Sequence, residues 1–192
     1  MTYHWLRIRA DDRSWQAAWE ELDTAALAPL WGAFRGLFGI STSELLVVSG
    51  TDDPEKMVEA IEDAGFGIVD GLPMTPTARP REFAPVDEDG VYVFRFFDVA
   101  SDVVDEVVEL STEAWTTFED DDAYEAEVQG LFREAEPEDE REVMMLVTRY
   151  ADLASWETSR TPSPVAMDLF RRRHELTAGA IAIATRPIPT PT

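Results

Sequence analysis

The stretch VYVFRFF, residues 91–97, sets one guanidinium, Arg95, in a run of aromatic and branched side chains. A lone cation on a buried strand is strongly unfavourable unless an acid, water or an anionic ligand meets it. The opening strand, HWLRIR, raises the same question with Arg7. Laid over each other, the two runs place Arg7 against Arg95, Trp5 against Val93, Leu6 against Phe94 and Ile8 against Phe96. Side chains alternate across a strand, so Trp5, Arg7 and Arg9 share one face, and Val93, Arg95 and Phe97 share the matching one. The opposite faces, with Leu6, Ile8, Phe94 and Phe96, are apolar and are expected to meet helices. Both arginines are therefore expected where two sheets face each other, either paired with a carboxylate or holding an anion. Arg149, at the end of MMLVTRY, carries the same two readings.

Other groups with usable chemistry are few. Tyr150 brings a phenol that can donate to a substrate oxygen or bond to backbone. In ELSTEAW, Ser111 and Trp115 share a helix face, where Trp115 either lines a cavity or completes the core. His4 lies on the first strand and His174 follows three arginines in FRRRHEL; either could serve as a haem ligand, although neither has a second imidazole close in sequence. The candidate ligand-binding set is Trp5, Arg7, Arg95, Trp115, Arg149 and Tyr150, and Arg95, Tyr150 and His174 are the catalytic candidates. The acidic runs DEDG and FEDDDAYEAE lack calcium-loop spacing, and no metal site is expected. Phosphate-binding, dinucleotide, metalloprotease and hydrolase motifs are absent as well.

The elements that must position these groups occur twice. YHWLRIRADDRSWQAAWEELDTAAL and VYVFRFFDVASDVVDEVVELSTEAW each give an alternating strand, a polar turn containing Ser14 or Ser101, and a helical pattern. LLVVSGTDDPEKM answers MMLVTRYADLASW, which sets Asp53 opposite Asp152 as helix N-caps. Val103, Val107, Leu110, Ala114 and Phe118 form one apolar helical stripe, and Trp15, Trp19, Leu22 and Ala26 form its counterpart. The order strand, helix, strand, strand, helix, strand is the ferredoxin-like unit, whose sheet has one bare face. An α+β chain of tandem ferredoxin-like repeats, βαββαβ twice, hides both bare faces if its antiparallel sheets close into one α/β barrel. The expected boundaries are 1–80 for the first repeat, 81–90 for a linker, 91–187 for the second repeat and 188–192 for a flexible tail. The second repeat carries an insertion, since SRTPSP interrupts its last helix.

Composition narrows the function. With 39 acidic and 16 basic residues in 192, the net charge is −23, which repels nucleic acid and anionic membranes. Absence of cysteine removes disulfides, thiolate metal sites and cysteine nucleophiles. No run approaches the roughly 18 apolar residues of a membrane span, and the N-terminus lacks the order of a signal peptide, so a cytoplasmic location is expected.

The segments FRFFDV, LSTEAWTTFE, GLFR and TRYADLASWETSR, ending in FRRRHELT, resemble NIPSNAP-like proteins of the dimeric α/β-barrel superfamily over about residues 91–186. That resemblance implies a barrel with relatives among cofactor-free monooxygenases, muconolactone-type isomerases, haem enzymes and members with no known reaction. It implies no catalytic residues. The expected function is binding, or cofactor-independent conversion, of a small aromatic or carboxylated metabolite in a barrel pocket. The alternatives are a non-enzymatic oligomeric interaction module, including a homodimer, and a haem-binding protein.

Overall fold

Each half folds as the repeat requires. In the computed structural model, which describes residues 1–10, 15–119, 124–161 and 164–190, the first half comprises β1 (Tyr3–Ala10), α1 (Trp15–Glu21), β2 (Leu30–Phe38), β3 (Glu44–Ser49), α2 (Pro54–Asp63) and β4 (Phe66–Arg79). The second comprises β5 (Val91–Ala100), α3 (Val104–Glu119), β6 (Ala126–Glu134), β7 (Arg141–Tyr150), α4 (Leu153–Thr158), α5 (Pro164–Leu176) and β8 (Thr177–Pro187). Asp53 caps α2 and Asp152 caps α4, each carboxylate accepting from a backbone N–H of the first turn. Ser14 lies outside the described residues, as do Asp120, Asp121 and Asp122 of the acidic run.

The eight strands close into a barrel in the order β1-β3-β2-β8-β5-β7-β6-β4. Every pairing is antiparallel, and the seams between the halves are β2 with β8 and β4 with β6. The bare faces cover each other, with helices outside. The interior is filled by large side chains, among them Tyr3, Trp31, Phe34, Phe94 and Phe132, all nearly inaccessible to solvent. Their rings interlock edge-on, as between Tyr3 and Phe132 at 5.1 Å and Phe34 and Phe94 at 5.0 Å. The segment between the repeats adds to this core, because Phe83 stacks on Tyr3 and the Val86 N–H donates to the Trp31 carbonyl. The expectation of a pocket inside the barrel is thereby corrected: aromatic volume occupies that space.

The expected loose tail is also corrected in part. Ile188 is buried and its N–H donates to the Ala33 carbonyl, while the Trp19 indole donates to the Pro189 carbonyl at 2.9 Å. One seam is incomplete. β8 pairs with β5 along Thr177–Thr185, but with β2 only from Ala184 to Pro187.

Candidate functional site

The side on which Arg95 lies follows from its neighbours. Tyr92, Phe94 and Phe96 pack into the barrel interior, whereas Val91, Val93, Phe97 and Val99 pack beneath the helices. Arg95 therefore faces the helices. In the first half Trp5 is the interior residue, and Leu6 and Ile8 face the helices. The equivalence of Arg7 with Arg95 is thus displaced by one residue, which on a strand exchanges the two faces. Pairing gives the true match: Leu6 lies opposite Val47 and Arg95 opposite Leu146. Val47 and Leu146 precede the capping aspartates, Asp53 and Asp152, by the same interval. The second repeat thus carries an arginine where the first carries a core leucine.

Beside Arg95 is a cavity of about 220 Å³ between the sheet and the helices of the second repeat. Trp115 and Phe118 from α3, Phe170 from α5, and Val128 and Leu146 from the sheet form its apolar walls. Its polar groups are Arg95, Thr148, Tyr150, Ser159, Arg160 and Arg173. Three guanidiniums line one small space in a chain with a large acidic excess, and among the described residues none of its lining groups is a carboxylate.

The polar geometry is specific. Arg95 Nη2 donates to Tyr150 Oη at 3.3 Å. A guanidinium has no acceptor, so the phenol must accept here, which leaves its own proton for another partner. Arg173 lies over the rings of Phe170, 5.2 Å from the centroid, and Phe97, at 5.9 Å, and Nη1 donates to Ser111 Oγ at 3.4 Å. Burial, reinforced by the charge of Arg95, lowers the Arg173 pKa to about 10, with Tyr150 acting in the opposite sense. Arg173 keeps some solvent contact, through the cavity it lines, while dense protein surrounds the rest of it.

Other arginines show what ordinary pairing looks like. Arg9 meets Glu44 at 2.5 Å, Arg133 meets Glu142 at 2.6 Å, and Arg79 meets Glu119 through both guanidinium nitrogens at 2.6 and 3.0 Å. Arg79 also lies over Trp115, 5.2 Å from its ring, so a residue from β4 braces the cavity wall from behind. Among the described residues, Arg95, Arg160 and Arg173 make no such ion pair.

The residues expected from sequence divide accordingly. Arg95, Trp115 and Tyr150 meet at the cavity. Trp5 packs on Phe96 inside the barrel, and Arg7 lies at the barrel mouth, 4.0 Å from Glu44. Arg149 is held by Glu88 at 3.0 Å and by the Asp89 carbonyl, on the other face of the sheet. His174 is exposed on α5 and does not line the cavity. Sequence reasoning missed Arg160, Phe170 and Arg173. For Arg173 the signal was present: Leu169, Arg173 and Leu176 recur at helical spacing and mark the inward face of α5.

Solved structures place this architecture. An anthrone oxidase-like protein superposes with a TM-score of 0.62 at 10% identity, covering 98% of this chain and 92% of its own. A protein provisionally assigned as a chlorite dismutase gives 0.65 at 10% identity, with 98% and 95% covered. The fold shared with these proteins is an α/β barrel of two ferredoxin-like halves. Here one chain supplies both halves of the α/β barrel. A protein from Fusobacterium nucleatum, provisionally assigned as a monooxygenase, gives 0.61 at 10% identity, covering 98% of this chain and 93% of that one. No family model and no curated protein matches the sequence. Among the described residues no helix is long and apolar enough to cross a membrane.

Proposed function

We propose that the cavity of the second repeat binds a small planar organic anion, an aromatic carboxylate, phenolate or enolate. The observation that carries this reading is the replacement of a core leucine position by Arg95, beside Arg173, with no carboxylate between them. Burying two like charges together is unfavourable to the fold, and an anion between them offsets it. Trp115, Phe118 and Phe170 supply the apolar faces a ring requires, and the free proton of Tyr150 supplies a donor. The volume suits a single ring better than a drug-sized ligand.

The catalytic form of this reading needs no cofactor. Loss of a proton from the bound substrate gives an enolate or phenolate whose oxygen faces the guanidiniums, and monooxygenase, isomerase and lyase reactions all proceed from such an anion. Among the described residues no carboxylate or imidazole lines the cavity to act as base, so the substrate must ionise readily by itself. Neighbours named for oxidase and monooxygenase activity support the oxygen-dependent branch. This cavity does not fit a haem iron, because among the described residues neither His4 nor His174 lines it and the Tyr150 phenol is engaged by Arg95.

Titration calorimetry with benzoate, salicylate, neutral benzamide and inorganic phosphate tests the reading. Binding of the aromatic anions alone, lost in Arg95→Leu, is the expected result. Wild-type protein that binds none of the anions overturns it. Oxygen uptake with an acidic phenol then distinguishes conversion from binding. The resemblance of the second half to NIPSNAP-like proteins supports a second reading, a non-enzymatic interaction module, and the open edge of β8 favours it.

A further inference from the structure

Where β8 runs beyond β2, residues Ala178–Ala182 are all exposed; Ala178, Ile181 and Ala182 pair with β5, Gly179 and Ala180 form a bulge in that pairing, and the side away from β5 has no strand partner. Ile181 is 58% exposed, and Phe38, at the end of β2 beside this edge, is 57% exposed. The loop that follows Phe38 reads GISTS, and the strand reads TAGAIAIA, so neither segment contributes a charged side chain. In a chain that is 29% charged, that is a conspicuous gap. The acid beside them is Asp98 of β5, whose carboxylate lies against Gly179.

An open strand edge is a row of unpaired N–H and C=O groups, and proteins ordinarily guard one with lysine, proline or a charged side chain. Between Ala178 and Ala182 none of these side chains is present, and the bulge at Gly179 is the one device of this kind. We propose that this edge pairs antiparallel with the same edge of a second copy, joining two barrels through a dyad near Ile181, past the bulge. Three features specify that occupant. An antiparallel edge is self-complementary, since a dyad presents each donor row to the matching acceptor row. Alanine and glycine at 178, 179, 180 and 182 let the strands approach, while Ile181 and Phe38 of both copies gather into one apolar cluster. The net charge of −23 opposes self-association across most of the surface, and two segments without charges of their own are where two copies approach with least repulsion. A basic partner would instead be drawn to the acidic faces.

The proposal stands apart from the cavity reading and is tested separately, by sedimentation equilibrium of the full chain across the micromolar range. The expected result is a species of twice 21.6 kDa that tightens as salt is added, because screening removes the mutual repulsion. Ile181→Lys and Ala180→Lys are each expected to raise the dissociation constant at least about tenfold, since pairing would bury the new charge. Glu59→Lys, on the exposed face of α2, leaves the dimer intact. Circular dichroism confirms that the lysine variants fold. Mass fixed at 21.6 kDa at every concentration and salt level overturns the proposal, as does a dimer indifferent to both edge lysines.

Discussion

Arg95 and Leu6 occupy equivalent places on the helix-facing side of the central strand of their repeats, and only Leu6 is packed as core. Transplanting the first repeat's solution into the second is therefore informative. Arg95→Leu is expected to raise stability by about 1–2 kcal/mol by removing a cation that lacks a carboxylate. In a chain of this length that is roughly 3–6 °C in Tm. The same variant loses aromatic-anion affinity by at least about 30-fold, the scale of deleting a desolvated charge contact. Stability that rises with affinity unchanged would make Arg95 structural. Calorimetry of unfolding and of binding decides between the two.

A pH dependence follows from Arg173. Its pKa is lowered to about 10, first by burial and then by Arg95 from β5, with Tyr150 from β7 opposing and the Ser111 hydroxyl of α3 as its other polar neighbour. Below that pH the guanidinium is charged in both folded and unfolded chains, and its confinement disfavours the fold. Above about 10 the folded form sheds the proton first, so this group's contribution to stability increases with pH. Anion affinity moves the other way and declines as pH rises past about 10. Arg173→Met removes that decline and leaves a lower plateau, as a binding titration between pH 7 and 11 would show.

Residues outside the cavity serve as controls. Arg7→Met, Arg149→Met and His174→Ala each leave anion affinity within about twofold of wild type, since rim charges far from a ligand contribute little to its binding. A large loss in Arg7→Met would move the site back to the barrel mouth.

Glu142 is fully buried, and its partner Arg133 is about a third exposed. Arg133→Met therefore leaves an unpaired carboxylate in the core and costs about 2 kcal/mol in a denaturant melt. Replacing both, Arg133→Met with Glu142→Leu, recovers most of the loss. A double variant no more stable than the single would show that the pair also fixes the strand register.

How much of this could be read from the letters depends on which period governs each segment. The repeat order, the aspartate caps and the stripe Val107, Leu110, Ala114 and Phe118 were legible because helix spacing and capping chemistry are local. The face of Arg95 was not. Barrel strands are covered on both sides, so VYVFRFF has apolar neighbours in both directions and alternation gives no sign of which is inward. Matching Arg7 to Arg95 by identity introduced a slip of one residue. Counting back from Asp53 and Asp152 corrects it. Arg173 was obscured by a run of three arginines, of which Arg171 and Arg172 make surface ion pairs.

Closure of the barrel by a single polypeptide has an evolutionary reading. Were the ring made of two identical chains, each substitution would appear in both halves, and an arginine suited to one cavity would also burden the other. Fusion lifts that symmetry. One repeat can remain a conservative scaffold around Leu6, while its twin carries Arg95 and the cavity beside it.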